Sequence, residues 1–179
     1  MIDSFLIGEK VYLRLHNETD LESWFRWFND PEVTDTMQKG YFPNTIEKQK
    51  AFFATMYDGN KNLQLAIINK ENDELVGTIG LHGIDQLNQN ADLSIIIGNK
   101  NYWGQGIGKE AIKLMLHHAF NKLNLHKITA GMLANNSGSF NLFSSIGFKQ
   151  EGLIRQQIFN NGQFQDVVRL GLLKNEYKK

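Results

Sequence analysis

The chain has no cysteine, only 2 prolines in 179 residues, and no excess of either charge, since 19 lysines and arginines face 19 aspartates and glutamates. Each shortage closes off a class of protein. Without cysteine there is no disulfide framework, no thiolate metal site and no cysteine nucleophile. With so few prolines and no serine-rich stretch, nothing marks a linker. Residues 1–179 therefore read as a single domain, which at this length buries ~70% of its unfolded surface without needing a staple. A balanced charge argues against a polyanion-binding face, so no nucleic-acid partner is expected. The longest apolar runs are short, such as Ile95-Ile96-Ile97, whereas a membrane-spanning helix needs about 20 residues. The opening segment MIDSFLIGEKVYLRL lacks a basic stretch followed by a long apolar run, so no signal peptide is read there. The expectation is a cytoplasmic protein with no membrane partner, and a homodimer is left open.

Hydrophobic spacing orders the elements. Val11 to Leu15 alternates like a half-buried strand. Asp20 is placed to cap a helix through Leu21, Trp24, Phe25 and Phe28, which Asn29-Asp30-Pro31 breaks. Asn44 or Thr45 caps a second helix carrying Ile46, Phe52, Phe53 and Met56, closed by a turn at Asp58-Gly59-Asn60. Strands follow at Leu63 to Ile68, Leu75 to Leu81 and Ala91 to Ile97. Gly106 to Leu123 has helical spacing, Lys127 to Met132 reads as a strand, and Ser137 to Ile146 as a helix closed by Gly147. Two last strands, Gln150 to Phe159 and Phe164 to Leu173, flank the hairpin signal Asn160-Asn161-Gly162. The order β-α-α-β-β-β-α-β-α-β-β predicts an α/β fold with a mixed sheet, antiparallel in its first half, and helices on both faces.

The segment from Ile95 to Ala111 carries the most chemistry. A buried strand enters a turn containing Gly104, Gly106 and Gly108 and leaves as a long helix. Glycines leave main-chain N–H groups free, let an anion approach, and set it at the positive end of the helix. The turn lacks the Lys-Ser/Thr pair of a P-loop and the third glycine of the dinucleotide fingerprint. Taken alone, it reads equally well as a phosphate cradle or as a tight strand-to-helix turn.

With Asn136, Ser139, Phe143 and Gly147-Phe148 the pattern becomes more specific. Gly106-Ile107-Gly108 resembles the glycine pair of the coenzyme A signature of GNAT acetyltransferases, and Trp103 stands where that family often has Gln or Arg. Asn136 to Phe148 resembles the family's N-x-x-S-x-x-x-Y-x-x-x-G-F motif. The resemblance runs from Gly8-Glu9-Lys10 to Tyr177 and is similar to the ribosomal-protein N-terminal, spermidine and amino-sugar acetyltransferase branch. It implies a mostly antiparallel sheet with a splayed parallel strand pair and acetyl-CoA as co-substrate; no metal is expected, because the histidines lack ligand spacing. Transfer would be to a primary amine, by direct attack in a ternary complex. The cofactor would be held by Ile95, Ile96 and Ile97 through β-type bonds, by Trp103, Gly104, Gln105, Gly106, Ile107, Gly108 and Lys109 at the pyrophosphate, and by Asn136 and Phe143 along the pantetheine arm. Lys113, one turn beyond Lys109, is a second cation for the phosphates or simply a solvated residue.

An amine must lose a proton to attack a thioester. Asp92, at the start of the splayed strand, is the candidate base, with an exposed-strand or ammonium-binding role as its alternative. The family's tyrosine acid is replaced here by Phe143, so Ser139 is the candidate acid, or else only caps or lines the helix. His82 titrates in the useful range but reads as structural, as do His16, His117, His118 and His126. The acceptor is expected beside the first two helices, where Trp24, Trp27, Phe28, Met37, Tyr41, Phe42 and Phe53 cluster and where Asp30, Glu32 and Asp35 attract a cation. A protein N-terminus, a polyamine and an amino sugar all remain open, with a lean to a small or sugar-type amine. Phe143 also admits a different class of function: an acyl-CoA-binding or regulatory module without turnover.

Overall fold

The computed structural model describes residues 3–35, 37, 41–56 and 60–178. Its eight strands are β1 (Ser4–Ile7), β2 (Val11–Arg14), β3 (Leu63–Asn69), β4 (Leu75–Asp85), β5 (Asn90–Ile97), β6 (Lys127–Leu133), β7 (Lys149–Asn160) and β8 (Gln163–Leu173). They form one sheet in the order β1-β2-β3-β4-β5-β6-β8-β7. Among the described residues only β5 and β6 pair in parallel; the other neighbours are antiparallel. The helices are α1 (Leu21–Phe28), α2 (Pro31–Thr34), α3 (Ile46–Thr55), α4 (Ile107–Asn121) and α5 (Ser137–Ser144).

The strand period of two divides the apolar residues between two layers. Leu93, Ile95 and Ile97 of β5 turn to the α4 layer, with Ala111, Ile112, Met115, Leu116 and Phe120. Ile96 turns the other way, to Trp24, Trp27, Val33 and Met56 under α1–α3. Ile112, Met115, Leu116 and Phe120 are buried, each contributing roughly 1.5–3 kcal/mol.

Most local stop signals act as expected. Thr45 accepts from Lys48 N at 3.2 Å and opens α3. Asn161 and Gly162 take φ of 49° and 81°, the left-handed pair of a two-residue hairpin. The expected turn at Asp58-Gly59 lies outside the described residues. Two differences have physical causes. Strand β1 escapes the hydrophobic-period reading because Phe5 and Ile7 face outward on a sheet edge. Asp20 precedes α1 but does not cap it. Its buried carboxylate instead accepts from Arg14 at 2.8 and 2.7 Å, lies 3.2 Å from His16 Nδ1, and accepts from Asn17 N at 3.0 Å. Burial pushes that carboxyl up, but these bonds outweigh it and hold it well below the usual carboxylate range.

Candidate active site

The parallel pair is brief. β5 and β6 match at Asn90↔Lys127, Ala91↔Ile128 and Asp92↔Thr129, and no further. Beyond that point β5 stays with β4 as far as Ile97↔Gly77, and β6 stays with β8 as far as Leu133↔Val167. The sheet therefore opens into a fork whose inner edges carry main-chain groups without a strand partner. One of the carbonyls is capped, since Trp103 Nε1 donates to Ile97 O at 2.7 Å.

At the open end of the β5 arm lies the glycine turn. Gly104 and Gly106 adopt φ of +74° and +82°, which side chains rarely tolerate. Gly108 is small for another reason: a Cβ there would stand 3.4 Å from Leu142 of α5, beside Ile95 and Ile97. Among the described residues no side chain caps the N-terminus of α4. Among the described residues, the N–H groups of Ile107, Gly108 and Lys109 have no acceptor. Three free donors at a helix N-terminus, reached through a turn stripped of side chains, fit a diphosphate. Lys109 is half-buried beside them, whereas Lys113 is exposed.

Across the fork, Asn136 Oδ1 accepts from Ser139 N at 3.0 Å and so caps α5. That leaves its Nδ2 and the Ser139 hydroxyl without a partner among the described residues. Phe143 is only 3% exposed and meets Phe148 edge-on at 5.0 Å, so its ring belongs to the core beneath α5.

Asp92 sits on the last matched pair, at the floor of the fork. Its Oδ1 accepts from Thr129 Oγ1 at 2.8 Å and from Arg169 Nη2 at 3.0 Å, and Oδ2 has no partner among the described residues. Gly131 makes room for the Arg169 side chain, because a Cβ there would lie 2.7 Å from Nη1. His82 stands directly across the β4–β5 register from Asp92, with Nε2 2.7 Å from Ser94 Oγ. Burial holds its imidazole below the usual value, against the upward pull of Asp92, so it is neutral at pH 7.

Sequence reasoning did not single out Arg169 or Thr129. The available signal was one charge inside the apolar run Val167 to Leu173. It also missed Lys100, which binds Asp30 at 2.8 Å and pairs with Glu32 as well. Two of the three loop carboxylates thus share a single ammonium, and Asp35 is held by Asn161 Nδ2 at 2.6 Å.

A cavity of about 450 Å³ opens beside this loop, walled by Phe28, Pro31, Tyr41, Phe42, Phe159 and Asn160. Tyr41 closes one side by donating to Phe159 O at 2.7 Å. One wall comes from α1–α2, which packs on Ile96 of the β5 arm; the other is the β7–β8 tip, joined to the β6 arm through β8. Among the described residues no His, Asp and Glu cluster could hold a metal, and no helix is long and apolar enough to cross a membrane.

Comparison with known proteins agrees with this geometry. The acetyltransferase (GNAT) domain family matches residues 10–149. The uncharacterized N-acetyltransferase p20 of Bacillus licheniformis is 33% identical, covering 96% of this chain and 97% of the relative. The spermidine N(1)-acetyltransferase of Vibrio cholerae is 29% identical, over 91% of this chain and 86% of its own length. The crystal structure of spermidine N-acetyltransferase from Vibrio cholerae in complex with CoA and spermine superposes with a TM-score of 0.86 at 24% identity, covering 95% of this chain and 99% of that one, a likeness of fold. The chain belongs to the GNAT acetyltransferase family and is an N-acetyltransferase that moves an acetyl group from acetyl-CoA to an amine.

Proposed function

We propose that the acceptor is a compact primary amine, that it attacks directly in a complex holding both substrates, and that the enzyme works in the cytoplasm. The observation that carries this reading is the fork: it begins at Asp92↔Thr129, so a carboxylate lies at its floor while the anion cradle lies at its open end. Ile107, Gly108 and Lys109 would hold the pyrophosphate through main-chain N–H groups. The free edge of Ile95–Ile97 and the Nδ2 of Asn136 would hold the pantetheine arm. Bound acetyl-CoA supplies the thioester, whose thiol, with a pKa near ~8.5, leaves without strong help.

Asp92 is the proton acceptor in this reading, through the oxygen that Thr129 and Arg169 leave free. Arg169 and Thr129 fix its orientation, and neutral His82 adds no positive charge against an incoming ammonium. Ser139 would donate to the departing sulfur.

The acceptor class follows from charge. A polyamine track needs several unpaired carboxylates along a groove. Here Lys100 occupies Asp30 and Glu32, while aromatic rings wall the neighbouring cavity. That favours a small or sugar-type amine over a long polycation. The polyamine reading keeps a specific support, the spermidine acetyltransferases among the relatives. A thiol-release screen with acetyl-CoA decides between them. Turnover of compact amines and amino-sugar nucleotides exceeding that of spermidine is expected. Turnover of spermidine or of peptides alone would overturn the acceptor assignment.

A further inference from the structure

We infer that Lys10, on the β1–β2 turn, is a phosphate-binding residue whose ammonium completes the pyrophosphate cradle from outside α4. The inference rests on acetyl-CoA binding at that cradle. Lys10 is almost a hundred positions from the glycine turn in sequence, yet its Nζ donates to Gln105 O at 3.0 Å, the carbonyl between the two left-handed glycines. It also stands 3.8 Å from where a Cβ on Gly106 would be. One hydrogen bond leaves an ammonium with two further N–H donors. Among the described residues no carboxylate pairs with it.

The turn that carries Lys10 is fixed on several sides. Glu110, in the first turn of α4, accepts from Lys10 N at 2.9 Å and Val11 N at 3.4 Å. Gly8 makes this approach possible, because a Cβ there would lie 2.1 Å from Glu110 Oε1. Lys70 N donates to Lys10 O at 2.9 Å, and Lys70 Nζ to Gly8 O at 2.9 Å.

This arrangement solves an electrostatic problem. A carboxylate in the first turn suits the helix dipole but repels an anion bound at the same end. The hairpin draws the Glu110 carboxylate away from the cradle with two main-chain donors. In exchange it delivers a cation to the cradle's rim. The sequence shows a glycine turn and, far upstream, an ordinary Gly-Glu-Lys; only the fold brings them together.

The test is calorimetric titration of wild type, Lys10→Gln and Lys10→Arg with CoA, at several salt concentrations, and with pantetheine, which lacks the diphosphate. Lys10→Gln should weaken CoA binding about tenfold, the range of one charge-assisted hydrogen bond. It should also flatten the salt dependence and leave pantetheine binding unchanged, while Lys10→Arg retains most of the affinity. Unchanged CoA affinity in Lys10→Gln overturns the assignment. So does an equal loss for CoA and pantetheine, which would mean that Lys10 only braces the loop. Failure of wild type itself to bind CoA would instead remove the cradle reading on which the inference stands.

Discussion

The two arms of the fork present different chemistry. The β5 arm and its turn present main chain: free N–H groups on Ile107, Gly108 and Lys109, and an unpaired strand edge. The floor and the β6 arm present side chains: Asp92, Thr129 and Arg169, drawn from three strands and locked to one another at 2.8–3.2 Å. A main-chain site depends on backbone conformation, so it is robust to most substitutions and sensitive to those at glycine. A side-chain site depends on the identity of each member, and on distant residues that hold it in place.

The contrast can be broken most severely at Gly106. Its φ of +82° excludes a β-branched residue without rearrangement of the turn. Gly106→Val should weaken acetyl-CoA binding by about 100-fold or more, since at least two donor bonds to an anion are lost at about 1.5 kcal/mol each. Unaltered affinity in a calorimetric titration would remove the cradle.

Asp92→Asn should act on the other region. A lost general base lowers the rate by about 100-fold or more, here in kcat/KM at pH 7. The loss should shrink as pH rises and free amine becomes plentiful. Equal rates for the two proteins across the pH range would take Asp92 out of the mechanism.

Phe143→Leu should have the smallest effect. The ring lies in the core against Phe148, so the exchange should lower stability by about 1 kcal/mol, as near-isosteric core swaps do. CoA affinity and the pH profile should stay close to wild type, and an abolished turnover with intact cofactor binding would give Phe143 a chemical duty after all.

The same contrast explains what could be read from the sequence. The strand–turn–helix segment was legible because its determinants are contiguous: a buried strand, glycines at alternate positions, then helical spacing. The cap at Thr45 and the Asn161-Gly162 hairpin were legible for the same reason, as local backbone chemistry. Parallel pairing in the second half was legible from the alternation of strand and helix, whereas the splay came from the family resemblance. The contacts of Asp92 with Arg169, of Lys100 with Asp30 and Glu32, and of Lys10 with Gln105 span from 68 to 95 positions. No periodicity encodes such pairs. Asp20 is instructive in the same way: its local pattern fits a helix cap, but two neighbouring residues of β2 and its following turn, Arg14 and His16, claim the carboxylate first.

The separation of the two regions is tested most directly by titrating acetyl-CoA into the Asp92→Asn protein. If the cofactor is held by main chain on one arm and the chemistry by side chains at the floor, this variant binds acetyl-CoA with wild-type affinity while its thiol release with the accepted amine falls by about 100-fold. A parallel fall of affinity and turnover would contradict the account, because it would make Asp92 a part of the cofactor site.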